Sequence, residues 1–311
     1  MKPAFSIIFF TTLSGIAQGL VIVIAMASLL GVDMSNGFAA GMLATAVVLL
    51  VAALIASFFH LGHPLRAWRA ALMWRTSWMS REVIVLPLFT AAVALWAGVI
   101  AVDGQGGAVA RAMPVVAIVG AFTLWYCTAM IYACIRFIQE WAHPLTVINY
   151  TLIGLASGLV LAGALAVTAG QDSFASGLGI WAIGGTLLAW LTRAISLRRN
   201  ARLKPKSTLQ SAIGIDNPRL TQKSMGMMGG SFNTREFFHH ASELAVRRAR
   251  IGFQVLGFGL PVLLMSLALA SGFTSAWLIA VPVQFLGLIA ERWFFFAQAR
   301  HPQNLYYQVV S

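Results

Sequence analysis

Between His60 and Glu82 the chain reads HLGHPLRAWRAALMWRTSWMSRE, where ionisable groups interrupt an otherwise apolar sequence. His60, His63, Arg66 and Arg69 fall within ten residues, and Arg75, Arg81 and Glu82 follow. A histidine gives or takes a proton near neutral pH, and a carboxylate in dry surroundings can do the same. A quinone head group asks for that pairing, because its carbonyl oxygens take hydrogen bonds and its redox chemistry moves protons together with electrons. The candidate quinone-binding set is therefore His60, Glu82, Arg66, His63 and Arg81. A plainer reading stands beside it. His60 caps the preceding helix, and Glu82 opens the next one, paired with its dipole or with Arg81. The arginines equally suit membrane-surface anchoring and phospholipid contact, and His63, ahead of Pro64 in a turn, suits loop bracing.

The elements that must position these groups are membrane-spanning helices. The 311 residues are 59% hydrophobic and 10% charged, with mean hydropathy +0.82, far from the balance of soluble domains. A spanning helix needs about 20 apolar residues, and the sequence offers eight such runs, predicted near 5–30, 38–59, 82–102, 113–135, 145–169, 177–197, 251–270 and 276–297. The runs are continuously apolar, not alternating, which sets aside a transmembrane barrel. The expected fold is an all-α integral membrane bundle of eight helices forming one domain over 1–311. The first helix is expected to be retained, because its apolar run exceeds the length of a signal-peptide core.

Eight crossings put both termini on one side, and every Lys and Arg except Arg111 falls on that side with the His60–Glu82 connection. By the positive-inside rule that side is cytoplasmic, in a bacterial inner membrane. This topology accounts for most of the net charge of +12 and removes the argument for nucleic acid. All six histidines share the same side, whereas a haem-bearing membrane cytochrome usually places ligating pairs towards both faces. Cys127 and Cys134, seven residues apart on one predicted helix, lie about 10 Å apart along it, too far for a disulfide, and two cysteines are too few for an iron–sulfur or zinc centre. No metal site is expected in this chain.

Residues 198–250 form a long basic loop whose glycine- and methionine-rich centre, SMGMMGGSFNTREFFHH, lacks the Gly-Lys-Ser/Thr of a phosphate loop. Its basic and aromatic mixture suits docking to a soluble protein or to the bilayer surface. Partner docking is expected at Arg69 and Arg75 in the connection and at Arg235 and Phe237 in the loop. Glu291 and Arg292 are expected to pair with each other, and Asn149 and Tyr150 are further polar candidates near the start of the fifth helix.

The HLGHPLRA stretch, with a Glu at the spacing of Glu82, resembles the HLG-x-P-x-R-A stretch of DmsC-type anchor subunits of molybdopterin oxidoreductases. The eight-helix plan and the ending ERWFFFAQARHPQNLYY resemble that family too. The resemblance implies an anchor that holds an iron–sulfur, ferredoxin-like subunit and a molybdopterin catalytic subunit to the membrane and exchanges electrons with quinone, without haem. It carries the quinone-site histidine onto His60 and the functional carboxylate onto Glu82, while the position of His63 varies in the family. The GGSFNTREFFH and ERWFFFAQARH segments look most like the branch that anchors cytoplasm-facing sulfite dehydrogenases. The expected activity is passage of electrons from sulfite oxidation to ubiquinone in preference to menaquinone, with the molybdenum cofactor and clusters confined to the partners. Alternatives are an anchor for a dimethyl sulfoxide, polysulfide or tetrathionate reductase that oxidises quinol, and a secondary transporter. The transporter lacks the broken mid-membrane helices and midplane charges such folds show.

Overall fold

The computed structural model describes residues 1–59, 61–223 and 237–306. Eight of its helices are long and apolar enough to cross a membrane: α1 (Phe5–Leu29), α2 (Asn36–Phe58), α3 (Trp78–Asp103), α4 (Ala108–Ala133), α5 (Pro144–Thr168), α6 (Asp172–Asn200), α7 (Glu243–Ser271) and α8 (Ala276–Ala297). No strand occurs among the described residues. The chain is a multi-pass membrane protein. Large apolar side chains such as Val48, Leu88, Leu95, Ile180 and Leu286 stand exposed around the bundle, as hydrocarbon surroundings allow and water does not.

Helix starts follow local chemistry more closely than hydropathy. Ser77 accepts from Ser80 N at 3.3 Å and Ser242 from Ala245 N at 3.2 Å, so α3 begins at Trp78 and α7 at Glu243, each earlier than its apolar run suggests. Arg81 and the RRAR run therefore lie inside helices that project beyond the apolar layer. α6 likewise continues to Asn200, so the segment between α6 and α7 is 201–242, shorter than the 198–250 expected, and it contains a short helix, Leu209–Ile213. His143 is the N-cap of α5, its Nδ1 accepting from Leu145 N at 3.1 Å with Pro144 in the first turn.

α1 is the central helix, with 78% of its most apolar window buried against at most 61% elsewhere, and it packs on α2, α4, α5 and α8. It approaches α5 through Gly19, Gly154 and Gly158, where a methyl group on Gly19 or Gly158 would enter the facing backbone. α7 and α8 meet in the same way at Gly257 and Gly287, and there α7 widens into a π-helical turn, Val255–Gly259. The Met1 amine donates to Phe296 O at 3.2 Å and Ala299 O at 3.0 Å, fixing the start of the chain to the end of α8. The connection 61–77 and the described residues 201–223 and 237–242 lie at that same end, alternate crossings having brought the chain back to it. An aromatic cluster seals this end of the core: Tyr132, Trp141, Tyr150, Phe295 and Phe296, with Trp141 Nε1 donating to Phe295 O at 3.0 Å.

Candidate functional site

Because Ser77 sets the start of α3, Glu82 is the fifth helical residue and not the first, and its side chain turns inward to α4. It is 6% exposed, and Thr128 Oγ1 on α4 donates a hydrogen bond to its Oε1. Among the described residues its carboxylate has no ion-pair partner, so the pairing with Arg81 is not seen. Cys127, buried and free, adjoins Thr128 on α4, and Trp78 meets Tyr126 edge to face at 5.2 Å beside them. Cys134, the other free cysteine, caps α4 and is exposed. A buried, ionisable group within a membrane helix that has no ion-pair partner among the described residues carries a high desolvation cost that packing alone does not explain.

Arg81 faces away from its neighbour. Its Nε donates to Trp74 O and its Nη2 to Arg75 O, both at 2.9 Å, and the guanidinium covers the Trp78 ring at 4.1 Å. It clamps the end of the connection onto α3. Within the connection, the 3₁₀ helix Pro64–Met73 packs on α3 and leaves Leu65, Trp68, Leu72 and Met73 exposed. Arg69 lies 5.7 Å from the Trp68 ring and Arg75 5.4 Å from the Trp74 ring, the pairing of charge with aromatic faces expected at a membrane interface or a docking surface. Arg66 is exposed, and His63 is an exposed N-cap that makes no side-chain capping bond. His60 and Arg235 lie outside the described residues. Phe237 stacks on His301 at 3.8 Å between ring centres and its carbonyl accepts from Asn304 at 3.0 Å, so it is seated against the C-terminal segment.

A second polar cluster lies between α5, α6 and α8. Arg193 Nε is 2.6 Å from Glu291 Oε1, and Arg292 Nη1 is 3.5 Å from Glu291 Oε2. The Arg292 guanidinium lies 3.8 Å from the centre of the Tyr150 ring, and Asn149 Nδ2 donates to Ser196 Oγ at 2.7 Å. Glu291 thus pairs with Arg292 as expected, and more closely with Arg193, a partner the sequence reading did not name. Adjacent helical residues point in different directions, so a carboxylate facing the bundle also takes a cation from another helix. That was the available signal, and it was obscured because Arg193 lies just ahead of the basic run that starts at Arg198 and reads as part of it. Beyond this cluster a cleft of about 790 Å³ opens at the end that carries the termini, bordered by α6, α8, Phe137, Phe238, Lys204 and Arg250.

The family model for the DMSO reductase anchor subunit (DmsC) matches residues 1–221. The chain belongs to the DmsC family. It is also 48% identical over 327 aligned positions to a sulfite dehydrogenase subunit of Allochromatium vinosum, covering all of both chains. The DmsC assignment makes it the membrane anchor subunit of a DMSO reductase-type complex, whose catalytic work belongs to partner subunits. Within this DmsC protein, Glu82 and the connection ahead of α3 lie at the end of the bundle that also carries the two termini.

Proposed function

We propose that this anchor accepts electrons from an iron–sulfur partner and delivers them to a quinone bound beside α3, in a complex that oxidises sulfite. The observation that carries the proposal is Glu82, buried and without a cationic partner among the described residues, at the end of α3 reached by the polar connection. The sulfite substrate rests on the relative from Allochromatium vinosum. The chemistry of the site suits a quinone: a protonatable carboxylate oriented by Thr128, with Trp78 and Tyr126 supplying flat apolar surface beside it. A bound quinone would supply the two-electron, two-proton couple.

The chain's own residues orient and protonate. Thr128 fixes one Glu82 oxygen and leaves the other for exchange, and Arg81 holds the connection closed over the start of α3. His60, next in sequence after the end of α2, is the proposed hydrogen-bond donor to the second carbonyl. Arg66 and His63 serve the mouth, while Arg69 and Arg75 with their tryptophans, together with Arg235 and Phe237, face the partner or the bilayer. The partners are an iron–sulfur subunit and a molybdopterin subunit on the cytoplasmic side of a bacterial inner membrane, ubiquinone is the acceptor, and no haem takes part. The family name supports a second reading, in which the same site oxidises quinol for a DMSO-reducing partner.

The test is the intact complex purified through this chain and assayed for sulfite-dependent reduction of a ubiquinone analogue. Activity in the wild type, lost in Glu82→Gln and His60→Ala complexes that retain their partners and metal, is the expected result. Unchanged turnover in assembled variants would remove Glu82 and His60 from the quinone site. A metal-bearing complex inert to sulfite but able to oxidise quinol with dimethyl sulfoxide would move the chain to the second reading.

A further inference from the structure

Between α5, α6 and α8, four polar atoms line one small space and find no hydrogen-bond partner among the described residues: Asn149 Oδ1, Tyr150 OH, Arg193 Nη2 and Glu291 Oε2. Their residues are between 1% and 6% exposed. Other contacts hold each side chain in place, as described for Ser196, Glu291 and the Arg292–Tyr150 pair. The volume open to the centre of a water molecule is about 10 Å³, roughly what one water needs.

The chemistry of the four atoms selects the occupant. Asn149 Oδ1 and Glu291 Oε2 accept, Arg193 Nη2 donates, and the Tyr150 hydroxyl completes the set, as a donor when it points at the water and as an acceptor when it points at Tyr132. A water has two hydrogens for the acceptors and two lone pairs for the donors. An anion would face two acceptor oxygens, and a metal cation would face a guanidinium. Unlike a closed ion-pair cluster, this one is continuous with polar groups on both sides. Glu140, Asn200 and Gln298 line both the small space and the 790 Å³ cleft. In the opposite direction Tyr150 stacks on Tyr132 at 5.8 Å between ring centres. Tyr132 is one turn from Thr128 on the same face of α4, and Thr128 donates to Glu82.

We propose that these groups form a proton relay from the cleft to Glu82, through one ordered water held by Asn149, Arg193 and Glu291, then Tyr150, Tyr132 and Thr128. The relay rests on the reading of Glu82 as the proton-exchanging group of the quinone site. Each hydroxyl passes its own proton forward as it receives one from behind, keeping its protonation state, and then rotates back to point forward before the next transfer. The net transfer is one proton from the aqueous cleft to the Glu82 carboxylate for each proton Glu82 gives up. The electrons arrive separately, from the partner's clusters. The arrangement lets Glu82 be recharged from its protein side while its other face meets the ligand.

Two measurements on the purified complex test this. A cryo-EM map that resolves waters should show one within hydrogen-bond distance of the four atoms. An empty space, or direct bonds among those atoms, overturns the proposal whatever the kinetics. Tyr150→Phe keeps the ring on Arg292 and Tyr132 but removes the hydroxyl. It should slow quinone reduction and the accompanying proton uptake at least about tenfold, raise the solvent isotope effect, and leave sulfite reduction of the partner's clusters at the wild-type rate. Asn149→Leu, which fills the space with apolar atoms, should do the same and abolish the water density. Wild-type turnover with an unchanged isotope effect in Tyr150→Phe overturns the relay. If Glu82→Gln also turns over normally, the quinone reading of Glu82 has failed; if Glu82→Gln is slow while Tyr150→Phe is normal, only the relay has.

Discussion

Glu82 and Arg81 are neighbours in the chain with opposite fates, one turned into the bundle and the other folded back over the connection. The sequence marks both as chemically interesting, but their directions depend on Ser77, which sets the helix phase and reads as part of a polar connection. Thr128 is invisible for a related reason, since a threonine in an apolar run carries no signal until the facing carboxylate is placed. Thr128→Val should leave Glu82 Oε1 unbonded, at a cost of about 1–3 kcal/mol. The expected outcome is an assembled complex with slower quinone reduction, and an unchanged rate would show that the bond does not orient the carboxylate. A second residue-scale prediction concerns His301, whose ring lies between Phe137 and Phe237. Burial, and then the Met1 amine, holds its pKa below the usual histidine value. In the folded state the neutral ring is therefore favoured, and this contribution is fully present above the unfolded value near 6.5 and is lost as pH falls through the folded one. The protection factors of 301–305, taken relative to intrinsic exchange at each pH, should fall on acidification through that window, and His301→Phe should remove that fall.

At the scale of elements, the eight runs are legible because hydrocarbon thickness dictates their length, and α8 is legible to the residue, 276–297. The starts of α3 and α7 are not, because hydropathy reports where a helix is apolar and not where its backbone begins to turn. Serine caps carry that information. Ser77→Ala should cost about 1 kcal/mol, loosen the first turn of α3 and lower the thermal midpoint of the purified complex, with a proportionate loss of quinone reduction. Pairing between helices is equally hidden. The contact of α1 with α5 depends on glycines that a sequence scan reads only as weak helix formers, yet Gly158→Leu would drive a side chain into the backbone of α1 at Gly19. The expected cost exceeds the roughly 1–3 kcal/mol of ordinary overpacking, seen as loss of folded protein in detergent. Gly41→Leu, where a methyl group meets open space, is the control.

Across the whole molecule, charge is distributed so that Arg111 alone stands with Asp33, Asp103 and Asp172 away from the other basic residues. The proposed orientation follows, and it can be checked with single cysteines in a Cys134→Ser background, since Cys127 is buried and Cys134 is exposed. Lys204→Cys should react with a membrane-impermeant reagent only after the cells are opened, and Asp33→Cys should react in intact cells. The reverse pattern would place the docking surface outside. The bundle and its polar end are legible because few sequences combine this hydropathy with one-sided charge. The place of Arg193 in the cluster with Glu291 and Arg292 is not, because it lies nearly a hundred residues from them in the chain and their common face exists only once α6 and α8 pack beside α5.

The central position of α1 has a consequence for how the protein is made. α1 is made before the helices that complete its surfaces, α4, α5 and α8, the last of which is synthesised nearly 250 residues later. Until then its Gly19 face meets lipid or an insertion factor in place of α5. Biogenesis should therefore be most sensitive to substitutions that alter α1 as a solitary helix, and a chain truncated before α8 should leave α1 open to proteolysis while α2 and α3 are already paired.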